Sequence, residues 1–381
     1  MFNLSSSTYP IGLDISDLSL KLVQLNRFRD HIRVEAISHI ELAKGLIENG
    51  EIKNQTEVIK AIKQLLVKPQ YGRVSPTEII ACLPETKTFI KLIEVEKTPN
   101  DFEMTLRSEM EKHIPMSLDE MYYDWQVVSE SSGLRRVLVG AGSRAIVDQY
   151  TDLINKTGIP LGALEVESVP ICRALLAEEH FKYRGSDKTN YGVIDIGAQR
   201  TSMTVYADKT VLFTMSIPLS GDRITEEISK ILKIDFKLAE KAKIICGLDE
   251  HKAQGVIRDV LSDVINELVN RIKGVIKYYQ DHFPGKGPLN KILLCGGGAN
   301  IENINQLLSQ SLGLEVSSGD PLTNINEAKE KLKSIFTETH QISSSELKTQ
   351  GDKPLSITQD TSLSYSTAIG LALRGVFIDE F

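Results

Sequence analysis

Cysteine is scarce and unclustered: Cys82, Cys172, Cys246 and Cys295 are the four in 381 residues. That spacing excludes a disulfide framework and a zinc centre built from paired ligands. The apolar company they keep, such as Ile-Ile before Cys246 and Leu-Leu before Cys295, is that of buried free thiols in a reducing compartment. Excess positive charge is also missing. With 44 Lys and Arg against 51 Asp and Glu, the formal net charge is −7, so the concentrated basic face that nucleic-acid backbones require is lacking and no nucleic-acid partner is expected. No run of about 18 apolar residues occurs, and the N-terminus lacks a charged-then-apolar leader. The chain is therefore expected to be cytoplasmic, without direct membrane insertion. G-x-G-x-x-G is missing too, which argues against a Rossmann dinucleotide site.

What is present is an ordinary globular composition, 41% hydrophobic and 25% charged, in a chain too long for one core and suited to about two to four compact units. The most informative stretch is 191–221, YGVIDIGAQRTSMTVYADKTVLFTMSIPLSG. Val193 and Ile194 lead into Asp195 and Gly197. A polar turn, a second strand, a turn at Ala207-Asp208-Lys209 and a third strand over 211–217 complete an antiparallel meander. Gly197, lacking a side chain, lets the turn bring backbone N–H groups close to an anion; an ordinary meander with an Asp-capped turn is the alternative.

The same pattern is written twice. Ile11-Gly12-Leu13-Asp14-Ile15-Ser16, then Ser19, a strand over 20–25, a polar turn over 27–30 and a strand around 32–40 place Asp14 where Asp195 stands. Similarity at a long offset points to duplicated halves. Two halves that each offer an Asp and a backbone-lined turn suit a phosphate chain with Mg²⁺, an ion held through waters and one or two carboxylates.

Spacing predicts helices over 55–67, 102–113 (with a start signal at 98–101), 145–156 and 169–177. It predicts strands over 77–83, 87–95, 121–128, 136–141 and 161–167, and a polar linker over 180–190. Residues 86–163 read as a small α+β unit inserted before the first α/β unit resumes. Further helices are expected over 222–232, 236–245 and 253–279, the last with Ile257, Leu261, Ile265, Leu268 and Ile272 on one stripe. Residues 291–298, KILLCGGG, run a short strand into three glycines. Backbone without Cβ at a strand's carboxyl end lets a flat ligand lie against the chain, although a tight turn required by packing would read the same. Residues 329–364 are polar and are expected to form a long surface loop or flexible insertion. Residues 365–375, with Ala368, Gly370 and Ala372, form a small-residue helix open to close approach by another.

Asp14-Ile15-Ser16, Asp195-Ile196-Gly197, the small-residue helix within 164–177, Cys295-Gly296-Gly297-Gly298 and Ala368-Ile369-Gly370-Leu371-Ala372 resemble, in order and spacing, the actin-like ATPase superfamily. Within it the chain is most similar to the PilM family of type IV pilus assembly proteins, relatives of the cell-division protein FtsA. Glu109-Met110-Glu111-Lys112-His113-Ile114-Pro115 with Asp124 downstream, Leu219-Ser220-Gly221-Asp222 and Gly370-Leu371-Ala372-Leu373-Arg374-Gly375 carry that closer resemblance. It implies an α/β fold, the actin-like (ribonuclease H-like, duplicated) ATPase fold with an inserted small α+β domain. Residues 1–85 and 164–188 would form the first large subdomain and 86–163 the insertion. Residues 189–226 and 288–381 would form the second large subdomain, with a polar insertion about 331–363, and 227–287 a helical subdomain over the nucleotide.

The resemblance further implies ATP and Mg²⁺ as cofactors, with Asp14 and Asp195 holding the metal through water. Ser16, Ser19, Lys21, Gly197, Ala198 and Gln199 would line the phosphates, and Gly221, Asp222, Glu240 and Lys243 the ribose and base. Gly296, Gly297 and Gly298 would face the adenosine, and Glu167 takes the position of a residue that orients the attacking water. For Lys21 an outward strand position competes with phosphate contact, and for Glu240 and Lys243 a solvated helix face.

In function, the resemblance implies an ATP-binding scaffold of the type IV pilus or a related secretion platform. It would be peripherally associated with the inner membrane by holding the N-terminal cytoplasmic peptide of a PilN-like protein. Residues 86–163 offer edge strands that no duplicated counterpart covers, which favours an added peptide strand there, with capping by the 101–113 helix or self-association as competing uses. Hydrolysis is expected to be slow or absent, because Ser16 puts a Cβ where the second hairpin has Gly197. The alternative, an FtsA-like polymerising cytoskeletal or cell-division protein, calls for an amphipathic tail, and residues 376–381 are too short and acidic for one. A sugar kinase would need an Asp general base, and none stands out.

Overall fold

The computed structural model describes residues 9–29, 31–97, 102–114, 116–131, 133–177, 189–327, 329–342 and 355–377. The expected start signal at 98–101, most of the 180–190 linker, Pro115 and the last four residues lie outside them.

Strands β1 (Ile11–Ile15), β2 (Ser19–Phe28) and β3 (His31–Glu41) form the first antiparallel meander. The short β4 (Ile47–Glu48) and β5 (Glu51–Ile52) pair with each other. Helix α1 (Gln55–Val67) starts at Asn54, whose side chain accepts the Glu57 N–H at 3.2 Å, and buries Val58, Ile62 and Leu65. After β6 (Tyr71–Gly72), β7 (Ile79–Leu83) runs parallel to β1. Then come β8 (Thr88–Glu96), α2 (Phe102–Glu111), β9 (Met121–Glu130), β10 (Leu134–Ser143) and α3 (Arg144–Asn155). The first half closes with β11 (Leu161–Val166), parallel to β7, and α4 (Ser168–Leu175).

The second half repeats the plan. Strands β12 (Tyr191–Ile196), β13 (Thr201–Ala207) and β14 (Thr210–Ile217) form the second meander. Helices α5 (Gly221–Leu232), α6 (Phe236–Cys246) and α7 (Val256–His282) follow, then β15 (Lys291–Cys295), α8 (Ile304–Leu312) and β16 (Glu315–Ser318). Helix α9 (Lys329–Ile335), the hairpin β17 (Thr337–Ile342) with β18 (Leu355–Asp360), and α10 (Ser366–Phe377) end the described chain.

The sheets make the duplication explicit. One runs β11-β7-β1-β2-β3-β6; the other begins β16-β15-β12-β13-β14. Each is a meander with two parallel strands added on the side of its first strand. The second sheet continues through β8-β10-β9, joined by the antiparallel pair Phe213↔Lys91. Strand β8 alternates accordingly: Ile90 and Leu92 enter the second half's core, whereas Ile93 and Val95 pack with Leu106 and Met110 of α2. Helix α3 instead puts Ile146, Tyr150, Leu153 and Ile154 into the first half's core. The 86–163 segment thus spans both halves rather than standing apart. The premise of wholly uncovered edges is corrected, because β14 covers the β8 side and the outer side of β9 is left.

The expected loop over 329–364 is also corrected where it is described. Leu332 and Phe336, on one face at helical spacing, are buried with Val376 and Phe377, and the strands β17 and β18 pair; residues 343–354 lie outside the described set.

Helices α4 and α10 cross between the halves. A Cβ on Gly370 would stand 1.8 Å from the Pro170 carbonyl oxygen, and one on Gly12 2.2 Å from that of Ala368, so small residues at these points set the approach. Buried Arg173 forks onto Glu165 at 2.8 and 2.9 Å and donates to the Gly370 carbonyl at 2.9 Å, while Arg374 reaches Glu165 at 2.6 Å. Burial alone would raise the Glu165 carboxyl, but the two guanidiniums hold it below its ordinary range. Among the described residues no helix is long and apolar enough to cross a membrane.

Candidate functional site

The two hairpin turns face each other between the sheets and are built alike. The Ser16 N–H donates to the Ser19 carbonyl at 3.0 Å, and the Gly197 N–H to that of Arg200 at 2.8 Å. They differ in how they are held. In the first, the Ser16 hydroxyl donates to the Ser19 carbonyl at 2.9 Å and Lys21 donates to Ser19 Oγ at 3.1 Å. In the second, a Cβ on Gly197 would stand 2.9 Å from the Arg200 carbonyl oxygen, so glycine is required by the turn itself. The Gly221 and Asp222 N–H groups at the start of α5 donate to the Gly197 and Ala198 carbonyls at 2.9 and 2.7 Å, locking this turn to the helix.

A cavity of about 190 Å³ opens between the turns. Asp14, Ser16, Ser19 and Lys21 line it from the first half; Asp195, Gly197, Ala198 and Gln199 line it from the second, with Glu167 between them. Gly296 and Gly297 reach it from the end of β15. A second cavity of about 230 Å³ adjoins it, sharing Gly197, Ala198 and Gly297, and is lined by Gly221, Asp222, Glu240, Lys243 and Gly298. All the residues singled out from the sequence therefore fall on two abutting cavities.

Their surroundings sort them. Lys21 Nζ is 3.7 Å from Asp14 Oδ2 and faces Asp14 across the β1–β2 register, pointing into the cavity. Lys243 is buried, donating to the Gly221 carbonyl, Thr225 Oγ1 and Glu240 at 3.0, 2.8 and 2.7 Å. It is an internal tie beneath the second cavity rather than part of a solvated face. Of the three glycines, a Cβ on Gly296 would meet Asp195 at 2.2 Å and one on Gly298 would meet Ile196 at 2.2 Å, whereas Gly297 has nothing within 4 Å. Packing requires the outer two, and the middle one borders open space.

The electrostatics are dominated by carboxylates out of water. Burial raises Asp14, against the opposing charges of Lys21 and Arg200. It raises Asp195, with the Asp14 charge adding to it, and raises Glu167, with Asp195 and Asp14 adding. Oxygens of Asp14 and Glu167 lie within 4.8 Å of each other and of the Cys82 sulfur. Burial holds the Cys82 thiol far above its ordinary range, so it stays protonated and leaves oxygen donors to a hard cation. All four cysteines are buried free thiols.

Two residues were not anticipated. Arg200 lines the cavity, donates to Thr86 Oγ1 at 3.2 Å and lies 3.6 Å from Asp17; its position three residues past Gly197, in a turn expected to face an anion, was the available signal. Glu85 also lines the cavity. Its carboxyl is raised by burial, and its Oε2 is buried without a hydrogen-bond partner. Nothing in Pro84-Glu85-Thr86 marks it in the sequence.

Two duplicated α/β halves facing each other across such a cleft make this an actin-like fold. The family described as Type IV pilus assembly protein PilM matches residues 12–376. A solved PilM-PilN type IV pilus biogenesis complex superposes with a TM-score of 0.75 at 22% identity, over 96% of this chain and 98% of that one. MreB 5 of Spiroplasma citri bound to AMPPNP gives a TM-score of 0.52 at 13% identity, over 86% and 97%. The cell division protein FtsA of Streptococcus pneumoniae is 24% identical over 260 residues, 62% of this chain and 55% of that protein. The chain spans 41 to 63% of the length of the first FtsA relatives it matches. The chain belongs to the PilM family of type IV pilus assembly proteins.

Proposed function

We propose that the protein is an ATP-binding scaffold of the type IV pilus inner-membrane platform, or of a related secretion machine. The observation that carries this is the pair of abutting cavities, one edged by both hairpin turns and the acid cluster, the other by Gly297 and the start of α5. Backbone and hydroxyl donors of the two turns, with Lys21 and Arg200, would hold the phosphates, and the second cavity would take ribose and base. Asp14 and Asp195, lining the same cavity from opposite halves, would hold Mg²⁺ through water, and the ion would neutralise charge on them and on the phosphates. Burial and the facing acids raise the Glu167 carboxyl, and Ser16 puts a Cβ in the first turn where the second has Gly197. This favours slow turnover, below about 1 per second.

Partner binding would attach the scaffold to the inner membrane through the N-terminal peptide of a PilN-like protein. A cavity of about 580 Å³ lies between α3, with Ile146 and Gln149, and the rest of the inserted segment, with Phe89, Ile114, Met116 and Met121, and reaches Glu51 of the first half; it would suit an extended peptide with apolar side chains. Calorimetry tests the nucleotide arm: Mg-ATP should bind the wild type, and Asp195→Ala should lose most of that affinity. Equal affinity in both would sink it. For the partner arm, Met116→Glu should weaken a PilN-like peptide while sparing ATP. Filaments forming with ATP and no peptide binding would favour the FtsA-like alternative.

A further inference from the structure

The hairpin β17–β18 does not belong to the duplicated plan, yet it walls the second cavity. Strand alternation and the pairs Glu338↔Gln359 and His340↔Ile357 put these four side chains on one face. Thr339 and Thr358 share the opposite, exposed face, their hydroxyls 3.4 Å apart. A lone two-stranded hairpin is marginal in water; this one is anchored by its inner face. Ile357 packs on the second half's core, Gln359 Nε2 donates to the Asn300 carbonyl at 3.4 Å, and β17 lies against α6. The rest of that face, Glu338 and His340 with the Gln359 amide, lines the second cavity, whereas no described hairpin residue lines the first.

We propose that this hairpin is a base-recognition wall, and that Glu338 and Gln359 determine specificity for a purine bearing an exocyclic amine. The proposal rests on the nucleotide reading above and deepens it. The bond to Asn300 uses one of the two N–H groups of the Gln359 amide and leaves its carbonyl oxygen as an acceptor, beside the acceptor-only carboxylate of Glu338. Two acceptors favour the 6-amino group of adenine. They disfavour a 6-oxo purine, which would set oxygen against oxygen and leave the site's acceptors unpaired.

The test is calorimetry on the full chain with ATP, ITP and inorganic tripolyphosphate, each with Mg²⁺. The wild type should prefer ATP to ITP by about tenfold or more. Glu338→Ala with Gln359→Ala should bring that ratio near one and weaken ATP about tenfold, with tripolyphosphate affinity unchanged. The shape-conserving Glu338→Gln should lower the ratio part of the way, and Thr358→Ala on the outer face should change nothing. If the wild type prefers ATP and the double variant keeps the same ratio, the proposal fails while the nucleotide reading stands. Loss of ATP and tripolyphosphate together would make the hairpin a structural support and overturn the wall. A wild type that binds none of the three overturns the nucleotide reading and the wall with it.

Discussion

Arg200 of the second hairpin turn reaches across to Asp17 of the first, Nη2 3.6 Å from Oδ1. Asp17 is itself buried and accepts the Asn49 and Gly50 N–H groups at 2.8 and 2.9 Å, so the guanidinium is drawn to a fixed point at the mouth of the cavity. It is, with Lys21, one of the two cations lining a space edged by at least four carboxylates. Replacing Arg200 with Ala should weaken Mg-ATP by about tenfold or more, the scale of a charge-assisted contact. Titration calorimetry reads this directly, and an unchanged affinity would remove Arg200 from the phosphate site.

Asp195→Asn should move stability and binding in opposite directions. Carboxyls raised in the folded state contribute stability that is full below their unfolded values, near 4, and is lost as pH rises through the raised folded values. Ligand-free wild type should therefore lose stability as pH climbs from about 4 toward neutrality. The variant should lose less, gaining on the order of 1 kcal/mol at neutral pH, and should lose the rise in melting temperature that Mg-ATP gives the wild type. Thermal melts across pH, with and without ligand, separate the two effects.

The glycine run should divide by substitution. Gly297→Ala should leave the melting temperature near wild type and weaken ATP, since its Cβ points into open space. Gly298→Ala would press on Ile196, and Gly296→Ala would add a Cβ at φ +77° against Asp195; each should destabilise the fold by about 1–3 kcal/mol. Denaturant titration checks the order.

At the crossing of α4 and α10, Gly370→Ala must push the backbones apart, because the added Cβ would meet the Pro170 carbonyl at 1.8 Å. A loss of about 1–3 kcal/mol or more is expected from overpacking, measured by chemical denaturation. A neutral result would show that the crossing relaxes freely.

Local pattern carried much of this structure. The doubled Asp-Ile-small turns, the helical stripe on α7 and the alternation along β8 each reflect a period that the chain states within a dozen residues, and each forms where spacing placed it. What was not legible depends on distant partners. Strand β8 alternates identically whether its edge is open or paired, so nothing near Lys91 announces Phe213. The paired strands 337–342 and 355–360 present exposed threonines on one face, and Glu338, His340 and Gln359 beside a cavity on the other, so their polar residues made the stretch look like a loop. Glu85 has no motif, and only the folded cleft brings it to Asp14 and Asp195.

The Phe213↔Lys91 pairing has a mechanical consequence. Lys91 also donates to the Tyr278 hydroxyl at 3.2 Å, and the Phe213 ring meets those of Tyr278 and Phe283 at 5.1 and 5.6 Å, so this junction is riveted as well as hydrogen-bonded. The halves are therefore tied at the α4–α10 crossing, at this junction, and where Ile32 and Val34 of β3 hydrogen-bond with Asn326 and Glu327. Spin-label separations across the β8–β14 junction should therefore be the same with and without nucleotide.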